Sequence, residues 1–511
     1  MVPVWWFVNI AVPKTLKPKT IMTVEKEARI AIIGAGISGI FTAIALKKRG
    51  YTNVTLYEKA DRITSLTSTI EHNGLQYDLS TKVIPAIGLT HEGVYPPLLG
   101  LLKDAGVSLG DFPEPVFYDF SRRQHIKVPV FMRQFGKLKI LRDFAKACAL
   151  FFEIRSSPFV DGVYQSDLIE SNESISAWAK RHGVESFGVF TCYLVDLFNQ
   201  GPSDRLPVNT VIMSRMHFAA PFLHSLLSKN GVRHFWQLFG SKHPAFQQFL
   251  RLKPAPSSYF VVREGYQNFF QRLAAHYALT VRCNSAVSNL RKTAQGLQFS
   301  VNGEQALTYD AVVFCCPPPA IEQMSYLPEV KEILQQVKVG RKIRTWAFEA
   351  GGWDEKTFGR RAIVIDGTNH LALSTPEMSI NGEVNYIAKE HADSNLLCSA
   401  VYLDADMDET AAIEALRVSL LRFNLTLTNV VTFRDFVWPY HFPLGPSHAG
   451  QFEALQQCQG RDHLYYCGES FFGIGVPTLL EYTEKFVEQH FVGRAESAAP
   501  SGKQGEASNV G

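Results

Sequence analysis

The sequence predicts an α/β protein in which a parallel sheet is joined to a second, mixed or antiparallel sheet and to a helical region. Ile30–Ile33 is a short, entirely apolar run, and Tyr309–Cys316 is a second apolar segment; both are typical of strands buried in a parallel sheet. Residues 330–455 alternate polar and apolar side chains, which indicates antiparallel strands. Residues 96–255 carry helical patterning and many aromatic side chains. At roughly 150 residues per domain, the chain is long enough for about three packed units.

Composition and charge exclude several classes of protein. Hydrophobic residues make up 46% of the chain and charged residues 19%, which excludes a wholly disordered protein. Lys and Arg total 51 against 48 Asp and Glu, so no basic excess predicts a nucleic-acid partner. No apolar run reaches the about 20 residues that a transmembrane helix needs. We expect a cytoplasmic protein, with peripheral contact to a membrane left open, a disordered extension at residues 1–25 and a disordered tail at residues 495–511.

A glycine motif follows the first strand and begins an amphipathic helix. Gly34 permits the tight turn, Gly36 lets the backbone approach a pyrophosphate, and Gly39 lets the helix pack closely on the strand. Ile37 and Ser38 lie between the last two glycines, where the free N–H groups of a helix N-terminus bind anions. The motif therefore predicts a dinucleotide-binding site.

An acidic residue follows the second predicted strand at the spacing that the motif requires. Glu58 ends the run that begins at Val54, about 20 residues beyond Gly39, where a carboxylate binds the ribose hydroxyls of an adenosine. Lys59, the residue after Glu58, is a further candidate for binding the cofactor. A carboxylate here argues against the 2′-phosphate of NADP, since two negative charges would meet. A solvated acid at a strand end is the alternative for Glu58.

Two later segments distinguish FAD from NAD. The first has Gly265 before a helix that begins at Tyr266, followed by the strand within Tyr309–Cys316. The second is a strand that ends in Gly468-Glu469-Ser470 and leads into a helix over 478–490. In this order the motifs resemble the flavin-containing amine oxidase superfamily, over residues 28–60, 260–320 and 460–492. Residues 438–443 and 460–473 resemble most its branch of polyunsaturated fatty acid (linoleate) isomerases and β-cyclopiazonate dehydrogenase-like enzymes.

The resemblance implies a Rossmann-type FAD-binding domain, a mixed or antiparallel substrate-side sheet domain and a helical cap. The FAD-binding domain would combine residues 26–95, 256–325 and 456–494. Residues 96–255 would form the cap and residues 326–455 the sheet domain.

The resemblance also assigns site residues. Glu469, after Gly468, would hold the ribityl chain of FAD, and Val287 would make a backbone contact to adenine. Arg62 would add positive charge near the pyrophosphate. Alternatively, Val287 is a valine of a strand without a role in binding, and Arg62 is a surface arginine. FAD would be noncovalent, because no cysteine lies just after Glu469.

The sequence departs from the family at two phosphate-binding positions. Thr64-Ser65 replaces a usual Gly-Gly pair, and Ser80-Thr81 replaces a small Gly-Ala pair. Their Cβ atoms narrow the approach of the backbone, whereas their hydroxyls can donate hydrogen bonds to phosphate.

No catalytic side chain is assigned from the sequence, because the flavin itself carries the hydride chemistry. Lys338 and Lys342 are both candidates for holding a water near the flavin. His441 and His448 do not have the HExxH spacing of metal-binding histidines on a helix, so no metal site is predicted. Two further groups of residues each have a functional and a purely structural interpretation. Cys315-Cys316 are buried strand thiols or a vicinal disulfide, and the apolar residues 187–198 and 438–442 line a substrate site or pack a core.

Three functions are compatible with these observations. The first is an FAD-dependent oxidoreductase that removes a hydride from a small hydrophobic substrate, an amine or a fatty acid. The second is an FAD-dependent isomerase that moves double bonds in polyunsaturated fatty acids with no net oxidation. The third is a flavin-binding protein without catalytic activity.

Overall fold

A computed structural model describes most of the chain. The described residues are 24–64, 67–79, 83–85, 96–113, 115–126, 130–155, 157, 159–160, 163–170, 173–197, 208, 247, 259–304, 306–336, 342–367, 383–404, 406–437, 454–468 and 475–492. Residues 1–23 of the predicted extension and the whole of the predicted tail lie outside this part. Val24, which the sequence analysis placed in the extension, is buried in the core.

A five-stranded parallel sheet forms the centre of the first layer. In spatial order its strands are Thr280–Arg282, Val54–Tyr57, Ile30–Ile33, Ala311–Phe314 and Leu464–Tyr466. Every residue of Ile30–Ile33 and Ala311–Phe314 is buried, as their apolar composition predicted. The three predicted segments of the FAD-binding domain therefore meet in one sheet, which confirms the α/β fold with a Rossmann-type sheet.

The helix that follows the glycine motif, Ile37–Lys48, is hereafter called the motif helix. The sequence predicted it to be amphipathic, and this was wrong, because every residue from Ser38 to Leu46 is buried. Besides the sheet, it packs against the helix Tyr266–His276 and the C-terminal helix, Val476–Val487. These two helices, which are distant in sequence, thus cover the face of the motif helix that was predicted to be exposed to solvent.

A hairpin caps the helix Tyr266–His276. Its strands are Thr69–His72 and Leu75–Asp78, and the Asp78 carboxylate accepts from the Tyr266 N–H at 3.1 Å. Gly265, at φ +80°, is required here because a Cβ would lie 2.4 Å from the Thr69 methyl group. Asp78 thereby satisfies an N–H that the start of a helix leaves free.

The second layer is a seven-stranded mixed sheet, in which one neighbouring pair is parallel and the others are antiparallel. In spatial order its strands are Thr426–Val437, Lys342–Gly351, Leu396–Leu403, Tyr386–Lys389, Ala362–Asp366, Pro115–Asp119 and Gln124–Ile126. One face packs on the helix Glu409–Arg422, with Trp346 and Val401 against Leu416. We call the opposite face, which carries Ile343, Ile365 and Ala400, the inner face.

The predicted helical region supplies helices and also strands. Within the described residues, its helices include Pro96–Asp104, Lys137–Arg155, Ile175–Arg181 and Glu185–Leu197, with a 3-10 helix at Val130–Phe135. Ser174 caps the helix Ile175–Arg181 by accepting from the Ala177 N–H. Two strands of the mixed sheet, Pro115–Asp119 and Gln124–Ile126, also come from this region. Pro115–Asp119 pairs with the distant strand Ala362–Asp366, and Gln124–Ile126 pairs in turn with Pro115–Asp119. The first of these pairings cannot be derived from the local sequence.

The smaller elements complete the two layers. In the described part of the chain, the other strands form three small sheets. One holds Ile84–Pro85, Leu109–Phe112 and Tyr259–Val262, the second holds Val287–Thr293, Gly296–Val301 and Leu307–Tyr309, and the third pairs Phe159–Val160 with Val163–Tyr164. Further helices of the described part include Pro318–Met324, Pro328–Gln335, Glu355–Phe358, the 3-10 turn Arg461–His463 and the π-helical turn Glu488–Val492.

The end of the C-terminal helix is predicted to be sensitive to acid. Burial lowers the pKa of His490 from 6.5 to about 4, so the folded protein keeps this imidazole neutral. Between those two values the unfolded chain binds a proton that the folded chain does not, and stability therefore falls as the pH drops from 6.5 to about 4. We expect a loss of about 3 kcal/mol across this window.

His490→Phe provides the measurement for this prediction. A phenyl ring can keep the ring contacts with Tyr465 and Phe486 but cannot be protonated. The denaturation midpoint of His490→Phe should therefore depend less on pH between 4 and 6.5 than that of the wild type. Parallel pH profiles for the two proteins would contradict the assignment to His490.

Candidate dinucleotide-binding site

Two glycines of the motif leave no room for a side chain. Gly34 has a φ of +103°, and a Cβ on it would lie 2.7 Å from the Cys315 carbonyl oxygen. A Cβ on Gly39 would lie only 2.0 Å from the Gly34 carbonyl oxygen. The turn and the close approach of helix to strand therefore both require glycine, as the motif predicted.

Gly36 differs from the other two glycines because it faces open space. Its φ of −72° suits any residue, and a Cβ would meet no atom within 4 Å. The motif helix begins at this point without a side-chain cap and without an acidic residue in its first turn. The N–H groups of the first turn, which includes Ile37, Ser38 and Gly39, are thus available to an anion. The residues present fit a bound pyrophosphate.

Glu58 is held beside this loop by two backbone groups. It is 9% exposed; its Oε2 accepts from the Ala35 N–H and its Oε1 from the Ala60 N–H, both at 2.9 Å. The alternative of a solvated acid is therefore wrong. A carboxylate accepts about four hydrogen bonds, so two acceptor positions remain for hydroxyl donors. Lys59, the next residue, is exposed.

The turn after Glu58 is joined to the strand that carries Val287. The Ser285 N–H donates to the Glu58 carbonyl, and the Asn284 N–H donates to the Ala60 carbonyl, both at 2.8 Å. Val287 is half-buried and pairs with Val301 in an antiparallel ladder. The structure thus brings Glu58 and Val287 to the same side of the site, while the adenine contact of Val287 stays a prediction.

Thr64, which the resemblance places where the family usually has a glycine, lies in a backbone conformation that favours glycine. Its φ is +48°, its side chain is 1% exposed, and its N–H donates to the Ala35 carbonyl at 2.9 Å. The buried Oγ1 atom has no hydrogen-bond partner. A β-branched residue at positive φ is strained by about 1–2 kcal/mol. Ser65, Ser80 and Thr81 lie outside the described residues.

We expect Thr64→Gly to fold and to bind FAD at least as tightly as the wild type. The substitution relieves the left-handed strain and removes an unpaired hydroxyl, which offsets the greater entropy of a glycine in the unfolded chain, about 0.5–1 kcal/mol. Thermal denaturation of the apoprotein and titration with FAD measure the two effects. A tenfold or greater loss of FAD affinity in Thr64→Gly would show that the threonine side chain holds the cofactor.

Ala35 is the residue that sequence reasoning missed. It lies between Gly34 and Gly36, its N–H binds Glu58, and its carbonyl binds Thr64. Because both contacts use the backbone, its alanine side chain gave no signal in the sequence.

Other predicted site residues are only partly placed. Arg62 is half-buried, and Gly468 is buried beyond the strand Leu464–Tyr466. Glu469 lies outside the described residues, as do Lys338, the aromatic residues 438–442, His441 and His448. Lys342 is the first residue of its strand. Within the described ranges, no group of three or more His, Cys, Asp or Glu side chains could hold a metal ion.

A cluster of thiols lies behind the glycine turn. Cys315 and Cys316 are free thiols, so the vicinal disulfide is not formed in this structure. The Thr42 hydroxyl lies 3.5 Å from the Cys467 sulfur and 3.7 Å from the Cys315 sulfur. Burial raises the pKa of Cys316 and of Cys467 above the ordinary thiol value. Both thiols therefore stay protonated at neutral pH. Cys315 and Cys316 are half-buried and follow the strand Ala311–Phe314, so they are not the buried strand thiols that the sequence predicted.

The parallel sheet, the glycine turn and the carboxylate at the second strand define a dinucleotide-binding α/β protein with a second, mixed sheet. No helix in the described part is long and apolar enough to cross a membrane. Residues 37–350 match the family model of flavin-containing amine oxidoreductases, more than half of the chain. The chain belongs to this family, as its motifs indicated.

Curated relatives match shorter segments. The chain is 37% identical over 62 residues to the polyenoic fatty acid isomerase of Ptilota filicina, which is 12% of each protein. It is 28% identical over 185 residues to protoporphyrinogen oxidase 2 of Arabidopsis thaliana, covering 34% of this chain and 32% of the relative. The L-amino-acid oxidase of Neurospora crassa is 37% identical over 79 residues, 15% of this chain and 11% of the oxidase. These matches span a third or less of the relatives.

Solved structures of the family match nearly the whole fold. The CLA-producing fatty acid isomerase from P. acnes superposes with a TM-score of 0.68 and 13% identity, covering 92% of this chain and 100% of the isomerase. A putrescine oxidase bound to putrescine gives a TM-score of 0.58 and 15% identity, covering 90% and 98%. The predicted likeness to fatty acid isomerases is confirmed at the level of the fold.

Proposed function

We propose that the chain is an FAD-dependent oxidoreductase that transfers a hydride from a small hydrophobic substrate to the flavin. The observation that carries this proposal is the open space over Gly36 beside the buried Glu58 carboxylate. Glycines at positions 34 and 39 shape the loop, and the start of the motif helix offers free N–H groups to a pyrophosphate. The family of the chain identifies the dinucleotide as FAD.

Each group at the site would have a separate role in holding the cofactor. The N–H groups that follow Gly36 would bind the pyrophosphate, and Glu58 would accept from the ribose hydroxyls through its unused acceptor positions. Arg62 would add charge near the phosphates, and Gly468-Glu469 would hold the ribityl chain. When bound, FAD supplies a hydride acceptor at N5, so the chain need only position the substrate and exclude water.

The inner face of the mixed sheet supports a hydrophobic substrate. Ile343, Ile365 and Ala400 on this face form one cluster with Phe151 and Phe187 of the cap. The rings of that cluster pack closely, with Phe151 and Trp178 stacked at 5.1 Å between centroids. A substrate held between cap and sheet would meet apolar walls, which suits an acyl chain better than a charged amine.

The second candidate is a double-bond isomerase of polyunsaturated fatty acids. The full-length likeness to the CLA-producing fatty acid isomerase and the local match to the polyenoic fatty acid isomerase favour it. In such a reaction, a hydride leaves an allylic carbon of the acyl chain and returns to another carbon of the same chain. Electrons and atoms are conserved, so no external acceptor is reduced.

Parallel assays of one purified holoprotein distinguish the candidates. Linoleate and putrescine are supplied separately, while oxygen consumption, peroxide release and absorbance of a conjugated diene are recorded. Peroxide release at a rate equal to substrate loss supports the oxidoreductase. Diene formation that proceeds equally without oxygen supports the isomerase. A yellow protein that converts neither substrate, nor a wider panel of fatty acids and amines, supports binding without catalysis and contradicts both.

The organisation and location of the protein belong to the same proposal. We retain noncovalent FAD, held by a domain of residues 26–95, 256–325 and 456–494, beside a cap of residues 96–255 and a sheet domain of residues 326–455. We also retain a cytoplasmic location. Release of free FAD on denaturation tests the first point, and cell fractionation tests the second.

A further inference from the structure

Several cations lie close in sequence to one protruding leucine at the start of the helix Lys137–Arg155. Leu138 is 84% exposed, more than any other large apolar side chain in the described part of the chain. The turn is made at Gly136, whose φ is +71°, between the 3-10 helix Val130–Phe135 and the helix Lys137–Arg155. We call this surface the Leu138 corner and define it by Arg133, Lys137, Leu138, Arg142 and Lys146.

The charges of the corner are largely uncompensated. Lys139 and Arg142 contact the buried Asp143 carboxylate at 2.8 and 2.9 Å, and Lys139 also contacts Glu185 at 3.6 Å. Arg133, Lys137 and Lys146 are exposed and form no ion pair within the described ranges. The whole chain carries a formal charge of only +3, so this excess is local.

The stability of the helix does not account for the unpaired cations of the corner. The first turn of Lys137–Arg155 contains no acidic residue, so its cations face the positive end of the helix dipole, which is unfavourable. Leu138, Arg142 and Lys146 recur every four residues and therefore share one exposed face. A cluster of cations on a helix attracts an anionic bilayer, and an exposed leucine beside those cations adds apolar surface that can insert among the lipids.

We propose that the Leu138 corner docks the protein onto an anionic membrane surface, with Leu138 inserted among the lipids and the cations on the headgroups. Charge complementarity together with the exposed leucine favours a lipid surface over an acidic protein or a nucleic acid. The leucine can be buried among lipid chains, whereas the charged surface of an acidic protein or a nucleic acid offers it no apolar contact. Docking would bring residues 96–255 next to the lipid bilayer, in which hydrophobic molecules dissolve. The inference uses no feature of the cofactor site and does not depend on the proposed function.

Flotation of the full-length protein with vesicles tests the proposal. One vesicle set is phosphatidylcholine alone, and the other contains about 30 mol % phosphatidylglycerol. We expect binding to the anionic set at low salt and release at roughly 0.5 M NaCl, because salt screens the headgroup charges. Arg133→Gln with Lys137→Gln should weaken binding by about fivefold for each cation removed. Leu138→Asp should weaken it by at least as much.

Matched variants elsewhere provide the controls. Leu421→Asp replaces another exposed leucine, 60% exposed on the helix Glu409–Arg422, and Lys356→Gln with Arg291→Gln removes two exposed cations. These variants should float like the wild type. Wild-type protein that does not bind anionic vesicles at low salt would overturn the proposal, as would equal binding by the corner and control variants. Loss of self-association in Leu138→Asp without any vesicle binding would instead make the corner a contact between copies.

Discussion

Gly36→Ala is expected to fold like the wild type and to bind FAD roughly 10–100-fold more weakly, the loss that corresponds to one hydrogen bond to a charged group. The added methyl group meets no protein atom within 4 Å, and the φ of −72° accommodates alanine without strain. It would instead occupy the space through which the pyrophosphate approaches the backbone. Titration of the apoprotein with FAD measures the affinity, and thermal denaturation of the apoprotein measures the stability.

Two other glycines serve as controls for Gly36→Ala. In Gly39→Ala the new Cβ would lie 2.0 Å from the Gly34 carbonyl oxygen, so this variant should lose about 3 kcal/mol or fail to fold. In Gly100→Ala the methyl group meets open space at an exposed position of the helix Pro96–Asp104, so stability should rise by about 0.5–1 kcal/mol with FAD binding unchanged. Wild-type FAD affinity in Gly36→Ala would contradict the placement of the pyrophosphate.

Glu58→Gln is expected to destabilise the apoprotein by about 1–3 kcal/mol. The carboxylate accepts from the Ala35 N–H with one oxygen and from the Ala60 N–H with the other. A glutamine amide offers one acceptor oxygen and turns an NH2 group toward the second N–H, which then loses its partner. FAD affinity should fall by about tenfold or more in addition, since an acceptor of the ribose hydroxyls is lost.

Chemical denaturation and FAD titration measure the two losses of Glu58→Gln separately. Glu304→Gln, at an exposed position in a turn, is the matched control and should change neither quantity. Loss of FAD affinity without loss of stability would show that the two backbone contacts contribute little. Loss of stability with unchanged FAD affinity would show that Glu58 is a structural residue and does not bind the ribose.

The parts of the site built from local sequence were predictable. Ile30–Ile33 and Val54–Tyr57 are short apolar strands that any parallel sheet would bury, and the spacing of the glycines to Glu58 follows from one strand–helix–strand unit. These residues interact within a single stretch of chain. Their roles can therefore be derived without knowing how the rest of the molecule folds.

The parts that depend on distant contacts were not predictable. The motif helix is buried on nearly all sides because the C-terminal helix, more than 400 residues later, packs against it. Pro115–Asp119 is a strand because it pairs with Ala362–Asp366. Thr64 has a positive φ at the point where its N–H donates to the Ala35 carbonyl. The sequence around Thr64 does not indicate this contact.

The absorption spectrum of the purified protein, with analysis of the supernatant after denaturation, tests the central claim most directly. The account predicts flavin absorption bands and the release of about one FAD per chain, either as isolated or after addition of FAD to the apoprotein. A colourless, folded protein that takes up no added FAD would contradict the account. It would mean that the open space over Gly36 and the buried carboxylate of Glu58 do not form a cofactor site.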